Sequence, residues 1–238
     1  MSYLDYYQYQ NQARGIRSLA DIARMGEARS YLYDRLVLSW LPADRSSRVA
    51  ELACGHGSFL YWLRARGFGR LTGIDSSPEQ VQLARLVGVP IAEANVLRWL
   101  EQQPENHCAA LVAIDLIEHL TRDEFMDLLR LAHRVLEPGG RLLLRCPNGE
   151  SPIVGHNLFN DITHLWTYTP NCLQSLAAMH GYARAAFRDE SSAAIRDHRW
   201  LKVPVSKISA AILGFLIRAA TREKVRFWSP HLWACLCK

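Results

Sequence analysis

The nine residues Val49-Ala-Glu-Leu-Ala-Cys-Gly-His-Gly57 constrain this chain more than any other stretch. They read as a buried strand that stops near an acid and turns through two glycines into a helix starting near Ser58 and carrying Phe59, Leu60 and Leu63. Glycines at 55 and 57 let the backbone approach a ligand closely and leave the first N–H groups of the helix aimed at it. A dinucleotide fingerprint with the same start needs a third glycine at position 60, where Leu60 stands. Taken alone, the segment also fits an ordinary tight strand–helix turn.

The rest of the chain repeats the strand–helix alternation. Residues 70–75 read as a second strand ending in Asp75, and Ser77-Pro78-Glu79-Gln80 opens a helix with proline in its first turn and an acid at its positive end. A third strand is expected over about 90–96. The run 109–115 is apolar up to Asp115, as a parallel strand buried on both faces should be. A long helix over about 122–136 ends at Glu137-Pro-Gly-Gly140, and a fifth strand follows over 141–146. A helix from about Pro170 to His180 stops at Gly181; strands over 182–188 and 231–238 complete the set. The last two strands, with no crossover helix between them, are expected antiparallel at one edge. Residues 1–45 read as helices, with apolar residues at helical spacing from Glu27 to Trp40; Tyr31 and Tyr33 either face the cleft or simply pack.

The spacing Glu51-x-Ala53-x-Gly55-x-Gly57 resembles the first motif of class I methyltransferases that use S-adenosylmethionine (SAM), with Ala53 where a third glycine is usual. The resemblance runs over roughly residues 47–190. It implies an α/β fold: a doubly wound, seven-stranded, mostly parallel Rossmann-like sheet, with an N-terminal helical lid over 1–45. The methyltransferase domain would then occupy 46–238, with a helical insertion at about 191–229 before the last strand. The resemblance also implies a cofactor site. Glu51 would lie near the methionine amino group, and the turn Ala53, Cys54, Gly55, His56, Gly57 would pass under methionine and ribose. Asp75, with Ser76 beside it, would accept from both ribose hydroxyls, as acids at this position do in dinucleotide folds. Asn95 offers an acceptor oxygen for the adenine amino group, Val96 a backbone contact, and Asp115 and Leu116 the floor beneath the sulfonium.

SAM carries its own leaving group, so the protein's task is to align a nucleophile with the methyl and, for a weakly acidic hydroxyl, to remove a proton. Two clusters carry suitable groups. Asp115-Leu-Ile-Glu118-His119 resembles the acid-x-x-Glu-His motif of ubiquinone-pathway O-methyltransferases and of small-RNA terminal ribose methyltransferases, where it helps hold a divalent metal. The second cluster is Asn160-Asp-Ile-Thr-His164. His119, His164 and Asp161 are the catalytic candidates. Asp115, Glu118, His119 and His164 are the candidate ligands for Mg, Mn or Zn; the alternative is that they brace the loop. Trp166 and Tyr168 are candidates for an aromatic wall, and Asn148 and His156 for weaker acceptor contacts. The stretch from Pro147 to Pro170 resembles methyltransferases of bacterial surface-polysaccharide and glycolipid pathways. That resemblance implies a sugar hydroxyl on a glycan or on a nucleotide- or lipid-linked intermediate. A quinone or other small-molecule hydroxyl is the runner-up, and a SAM-binding assembly partner without catalysis is the non-enzymatic alternative.

Charge is unevenly placed. From Arg196 to Lys238 nine Lys/Arg face two acids, while the other 195 residues are close to neutral. The insertion's centre, Ile208 to Ile217, holds ten uncharged residues between Lys207 and Arg218, too few for the roughly 20 that span a bilayer. Apolar residues flanked by cations suit a helix lying on an anionic membrane over about 200–228; core packing and a homodimer contact are the alternatives. Nucleic acid is the least expected partner, since no basic or aromatic recognition patch lies outside this region. Six cysteines without metal spacing and an N-terminus without a signal-peptide pattern make the cytoplasm the expected location, free or peripheral on the inner face of the membrane.

Overall fold

The computed structural model describes residues 15–190, 202–222 and 224–238. Its frame is one seven-stranded sheet: β1 (Arg48–Leu52), β2 (Arg70–Asp75), β3 (Ile91–Glu93), β4 (Cys108–Ile114), β5 (Leu136–Pro147), β6 (Arg184–Asp189) and β7 (His231–Cys237), in the order β3-β2-β1-β4-β5-β7-β6. β1 to β5 pair in parallel, and β7 runs antiparallel to both β5 and β6. The helices are α1 (Leu19–Leu36), α2 (Ser58–Ala65), α3 (Pro78–Arg85), α4 (Val96–Gln102), α5 (Arg122–Val135), α6 (Gly155–Leu158), α7 (Pro170–Met179) and α8 (Lys202–Thr221).

Helix starts follow local chemistry. Ser77 caps α3 with Pro78 in its first turn, Thr121 and Glu124 form a reciprocal capping box on α5, and Thr169 caps α7 ahead of Pro170. The central strands β1 and β4 are buried almost throughout, and two hydrophobic layers cover the sheet. One layer holds α1 and α2, where Tyr33, Phe59 and Trp62 meet edge-on or stacked at 5.0–5.3 Å. The other holds α5 and α7 around Phe125, Leu128 and Leu173.

Several boundaries differ from the sequence expectation. The third strand is only three residues, because Asn95 caps a helix, α4, that the pattern did not suggest. The fifth strand begins at Leu136, with its register shifted across Glu137–Gly140. By contrast, α8 lies within the expected insertion between the last two strands, and those strands pair antiparallel at one edge as expected, with β7 in the slot between β5 and β6. Residues 1–14 of the expected lid and 191–201 of the insertion lie outside the described residues. All six cysteines are free, four of them buried, while Cys172 is exposed.

Gly73 in β2 shows how tightly β1 and β2 seat the first turn. A Cβ there would stand 2.6 Å from Leu60 Cδ1, 2.7 Å from Ile91 Cδ1 and 2.8 Å from Cys54 Sγ. Gly73→Ala is expected to lose about 1–3 kcal/mol by overpacking, read as a fall of several degrees in Tm. An unchanged Tm would show that these side chains yield freely.

Candidate functional site

β1 and β4 are neighbours whose connections leave in opposite directions along the sheet, β1 toward β2 and β4 toward β5. The crevice outside their carboxyl ends is the place where open α/β sheets bind ligands. The turn after β1 occupies it. Ala53 stands at φ 55, Gly55 at φ 52 and Gly57 at φ 84, the last as N-cap of α2. Ala53 therefore holds the left-handed conformation that glycine adopts freely and an L-residue adopts at about 1–2 kcal/mol. The buried Cys54 fixes the turn by donating its N–H to Ile74 O at 2.9 Å. His56 is half-buried within it.

Two acids converge on this turn. Asp75 accepts from the N–H groups of Gly55 (2.8 Å) and Ser77 (2.9 Å), so one carboxylate ties the two loops together. Burial raises its pKa, and the Ser77, Gly55 and Ser76 amides offset part of that rise. Glu51 is buried, and its Oε2 has no hydrogen-bond partner. Burial first, and Asp75 second, push its pKa well above the usual carboxylate range. Gln80, on α3, brings another buried acceptor without a donor: its Oε1 would lie 3.7 Å from a Cβ on Gly55. The sequence pattern did not single out Gln80 as a site residue. Asn95 spends Oδ1 on capping α4, accepting from Leu97 and Arg98 N–H, and Val96 opens that helix. Ser76 is exposed beside Asp75.

After β4 the chain carries both acidic and imidazole groups. Asp115 sits at φ 53, and its carboxylate receives Arg145 Nη1 at 2.5 and 2.6 Å. Arg145 is 4% exposed and also donates to Glu190 Oε1 at 2.6 Å. Burial opposes the charge on Arg145, but Asp115 and Glu190 outweigh it and hold the guanidinium firmly protonated. Burial likewise works to raise Glu190, yet the His231 hydrogen bond and the Arg145 charge pull it far below the usual range. Arg145 and Glu190 are functional-site neighbours that the motifs did not flag; an arginine inside an otherwise apolar strand was the available signal.

Arg145→Met should lower stability by about 3 kcal/mol, because it removes the buried cation that Asp115 and Glu190 share. The expected fall in Tm at neutral pH is roughly 6–12 °C. The lowered Glu190 carboxyl contributes stability above the unfolded value near 4.5 and loses it as pH falls toward the folded value. The variant's deficit therefore shrinks below about pH 4.5, and a deficit unchanged between pH 7 and about pH 3 would contradict the ion-pair account.

Leu116 leads into a short 3-10 turn, Ile117–His119. The loop after β5 folds back on it: the Glu118 carbonyl accepts from Leu165 N–H at 2.7 Å and from Trp166 N–H at 3.3 Å. His119 and His164 thereby come together with ring centroids 4.7 Å apart. One ligand atom each from Glu118, His119 and His164 lie within 4.8 Å of one another. Asp115 does not join them, being paired with Arg145. Thr163 gives its hydroxyl proton to Asp161 Oδ1 at 2.6 Å, so at 2.8 Å its Oγ1 can only accept from His119 Nδ1–H. His164 Nδ1 donates to Leu158 O at 3.0 Å. Both rings are thus assigned Nε2 lone pairs. Asp161 touches Thr163 and acts through it on His119. Burial, then His164, lowers the His119 pKa; burial and Asp115 raise that of Glu118, whose Oε2 has no partner.

A cavity of about 710 Å³ adjoins this cluster, lined by Leu158, Phe159, Asp161, Ile162, His164 and the segment 165–167. Trp166 belongs to it, with Arg122 stacked 4.0 Å from the ring centroid. Tyr168 instead packs in the core against Phe125 at 4.7 Å, and Tyr33 is likewise core. Asn148 is fully buried, holding the carbonyls of Phe227 and Ser229, while His156 is exposed on α6.

Sheet order, glycine turn and acidic strand ends together define the Rossmann-like fold class of methyltransferases. A family model described as a methyltransferase domain matches residues 25–186, well over half of the chain, and the protein belongs to that family. A SAM-dependent methyltransferase from Archaeoglobus fulgidus superposes with TM-score 0.70 at 17% identity, over 90% of this chain and 94% of its own. A Thermotoga maritima SAM-dependent methyltransferase, described as a possible histamine N-methyltransferase, gives 0.61 at 14% identity, over 99% and 96%. Geranyl diphosphate C-methyltransferase from Streptomyces coelicolor gives 0.56 at 14% identity, over 89% and 76%. At these identities the likeness concerns the fold. No curated protein matches the sequence.

Proposed function

We propose that this protein is a SAM-dependent methyltransferase that methylates a hydroxyl oxygen. The observation that carries the cofactor reading is the partnerless Oε2 of the buried Glu51 carboxyl beside a turn in which Ala53 holds a left-handed φ. A buried acceptor without a donor is destabilising unless a ligand supplies one, and the methionine ammonium of SAM is such a donor. Asp75, preset by the Gly55 and Ser77 amides, suits the ribose hydroxyls. Oxygen is favoured over nitrogen or carbon by the His119–His164 pair, since a hydroxyl needs its proton removed as the methyl arrives. His119 Nε2 takes that proton, the oxygen attacks the methyl carbon, and the carbon–sulfur bond breaks to leave S-adenosylhomocysteine. The acceptor favoured by the Pro147–Pro170 resemblance is a sugar hydroxyl on a glycan or on a nucleotide- or lipid-linked intermediate; a quinone hydroxyl is second.

The cluster Glu118, His119 and His164 also fits a divalent metal such as Mg, Mn or Zn. Each imidazole has its Nδ1–H anchored on Thr163 or Leu158, which leaves the Nε2 lone pair to face an ion, as metal-bound histidines do. A bound metal would lower the pKa of an acceptor hydroxyl. Metal content measured after dialysis, in the native protein and in His119→Ala/His164→Ala, distinguishes the two readings.

The function is tested by incubating the purified protein and methyl-labelled SAM with a lysate of a host lacking the gene. The label is then sorted among lipid, glycan, small-molecule, RNA and protein fractions. Label in the glycan or lipid-linked fraction supports the proposal; label confined to RNA or protein overturns it.

A further inference from the structure

We infer that α8 docks this protein onto an anionic lipid bilayer surface, with the helix lying in the interface. The helix turns toward the body at Gly214, where a Cβ would stand 3.1 Å from the Trp228 ring. On an α-helix each residue advances about 100°, so Ile208, Ile212, Phe215 and Leu216 occupy the side away from Gly214. All four are exposed, Phe215 by 73%. A helix face of this kind is a docking face, because monomeric soluble surfaces rarely leave large apolar side chains contiguous and open.

Charge decides what covers it. Between Lys202 and Arg226 the sequence has six cations and one acid, Glu223. Arg218, in the last turn of α8, and Arg222 and Lys224, just past its end, are exposed, whereas Arg226 is held by Glu150. Two copies meeting through α8 would bring these cations together, while an anionic headgroup layer neutralises them as the apolar side chains enter it. Among the described residues no helix is long and apolar enough to cross a membrane, so the geometry is that of a helix lying flat.

The cavity loop contributes to the same end of the molecule. β5 and β6 end there and β7 begins there, with Pro147 paired to His231. The residues returning from α8 are bound to that loop through Ser151 Oγ to Trp228 O and Asn157 to His231. Phe159 and Ile162, which line the cavity beside His164, are 83% and 78% exposed. Resting on the proposed methyl transfer, this placement narrows the acceptor to one held in the bilayer by a lipid chain.

The test is co-sedimentation of the full chain with two sets of vesicles, phosphatidylcholine alone and phosphatidylcholine with about one third phosphatidylglycerol. It needs no methyl transfer, so it stands or fails apart from the catalytic reading. Binding to the anionic vesicles is expected, weakened by raised salt and reduced by about tenfold or more in Ile212→Glu/Phe215→Glu. Both positions are exposed, so the variant should keep the native Tm. Absence of binding to anionic vesicles, or binding that the double variant leaves unchanged, overturns the inference. A native dimer that the double variant splits, without vesicle binding, would assign the face to a second copy instead.

Discussion

His119→Ala is expected to lower kcat by about 10²–10⁴-fold, the range for loss of a positioned base. The affinity for SAM should stay within about twofold, because His119 lies on the turn after β4, outside the turn that holds Glu51. The ring is held by an ordered chain: Asp161 takes the Thr163 hydroxyl proton, and the Thr163 oxygen takes His119 Nδ1–H. Thr163→Val cuts that chain and leaves the imidazole in place, so about a tenfold loss is expected, the lower end for a group that orients a histidine through its far N–H. Burial and His164 depress the His119 pKa. The imidazole therefore stays neutral at and above the usual value of 6.5, and the rate should begin to fall only below that pH. His164→Ala added to His119→Ala should cost far less than its separate effect, since the two rings serve one proton-accepting site. Steady-state kinetics across pH 5–9 decide the matter. Full activity in the double variant would remove both histidines from the chemistry.

The sheet and the glycine turn after β1 were legible because their signals are local. A buried strand, an acid and two glycines within nine residues announce one backbone path, and Asp75 closes the next strand by the same logic. Ala53 marks where local reading reaches its limit: its identity departs from the family pattern, while its φ of 55 is one that glycine adopts freely. Position 95 shows another limit. An asparagine acceptor can serve a ligand or cap a helix, and only the start of α4 shows that capping occupies it. The fate of Asp115 was not legible, since it depends on Arg145, thirty residues away on the neighbouring strand, and on Glu190 beyond β6. The meeting of His119 with His164 was suggested by motif order, but the contact is made by backbone bonds from Leu165 and Trp166 to Glu118 that no side-chain pattern encodes.

Glu51→Gln is expected to move two observables in opposite directions. The SAM affinity should fall by about 10–100-fold, the equivalent of losing one charge-assisted hydrogen bond. The ligand-free protein should become more stable by roughly 1 kcal/mol, or a few degrees in Tm, because a neutral isostere replaces a carboxylate buried at 3% exposure. The physical reason is the raised pKa, due first to burial and then to Asp75. A carboxyl whose folded pKa lies above its unfolded value near 4.5 makes the native state lose stability as pH rises from that value through the folded one. The variant lacks this loss, so its advantage should be absent in acid and full once the pH exceeds the folded pKa. Ligand reverses the order. At SAM equal to 100 times the native Kd, binding adds about 2.7 kcal/mol to the native protein but only about 0.4–1.4 kcal/mol to a variant binding 10–100-fold more weakly. Thermal melts with and without SAM should therefore cross, the variant melting higher alone and at or below the native protein when saturated. Unchanged affinity would remove Glu51 from the cofactor site. A lower ligand-free Tm would mean that the carboxylate is retained for the fold, with the Leu60 amide as its anchor.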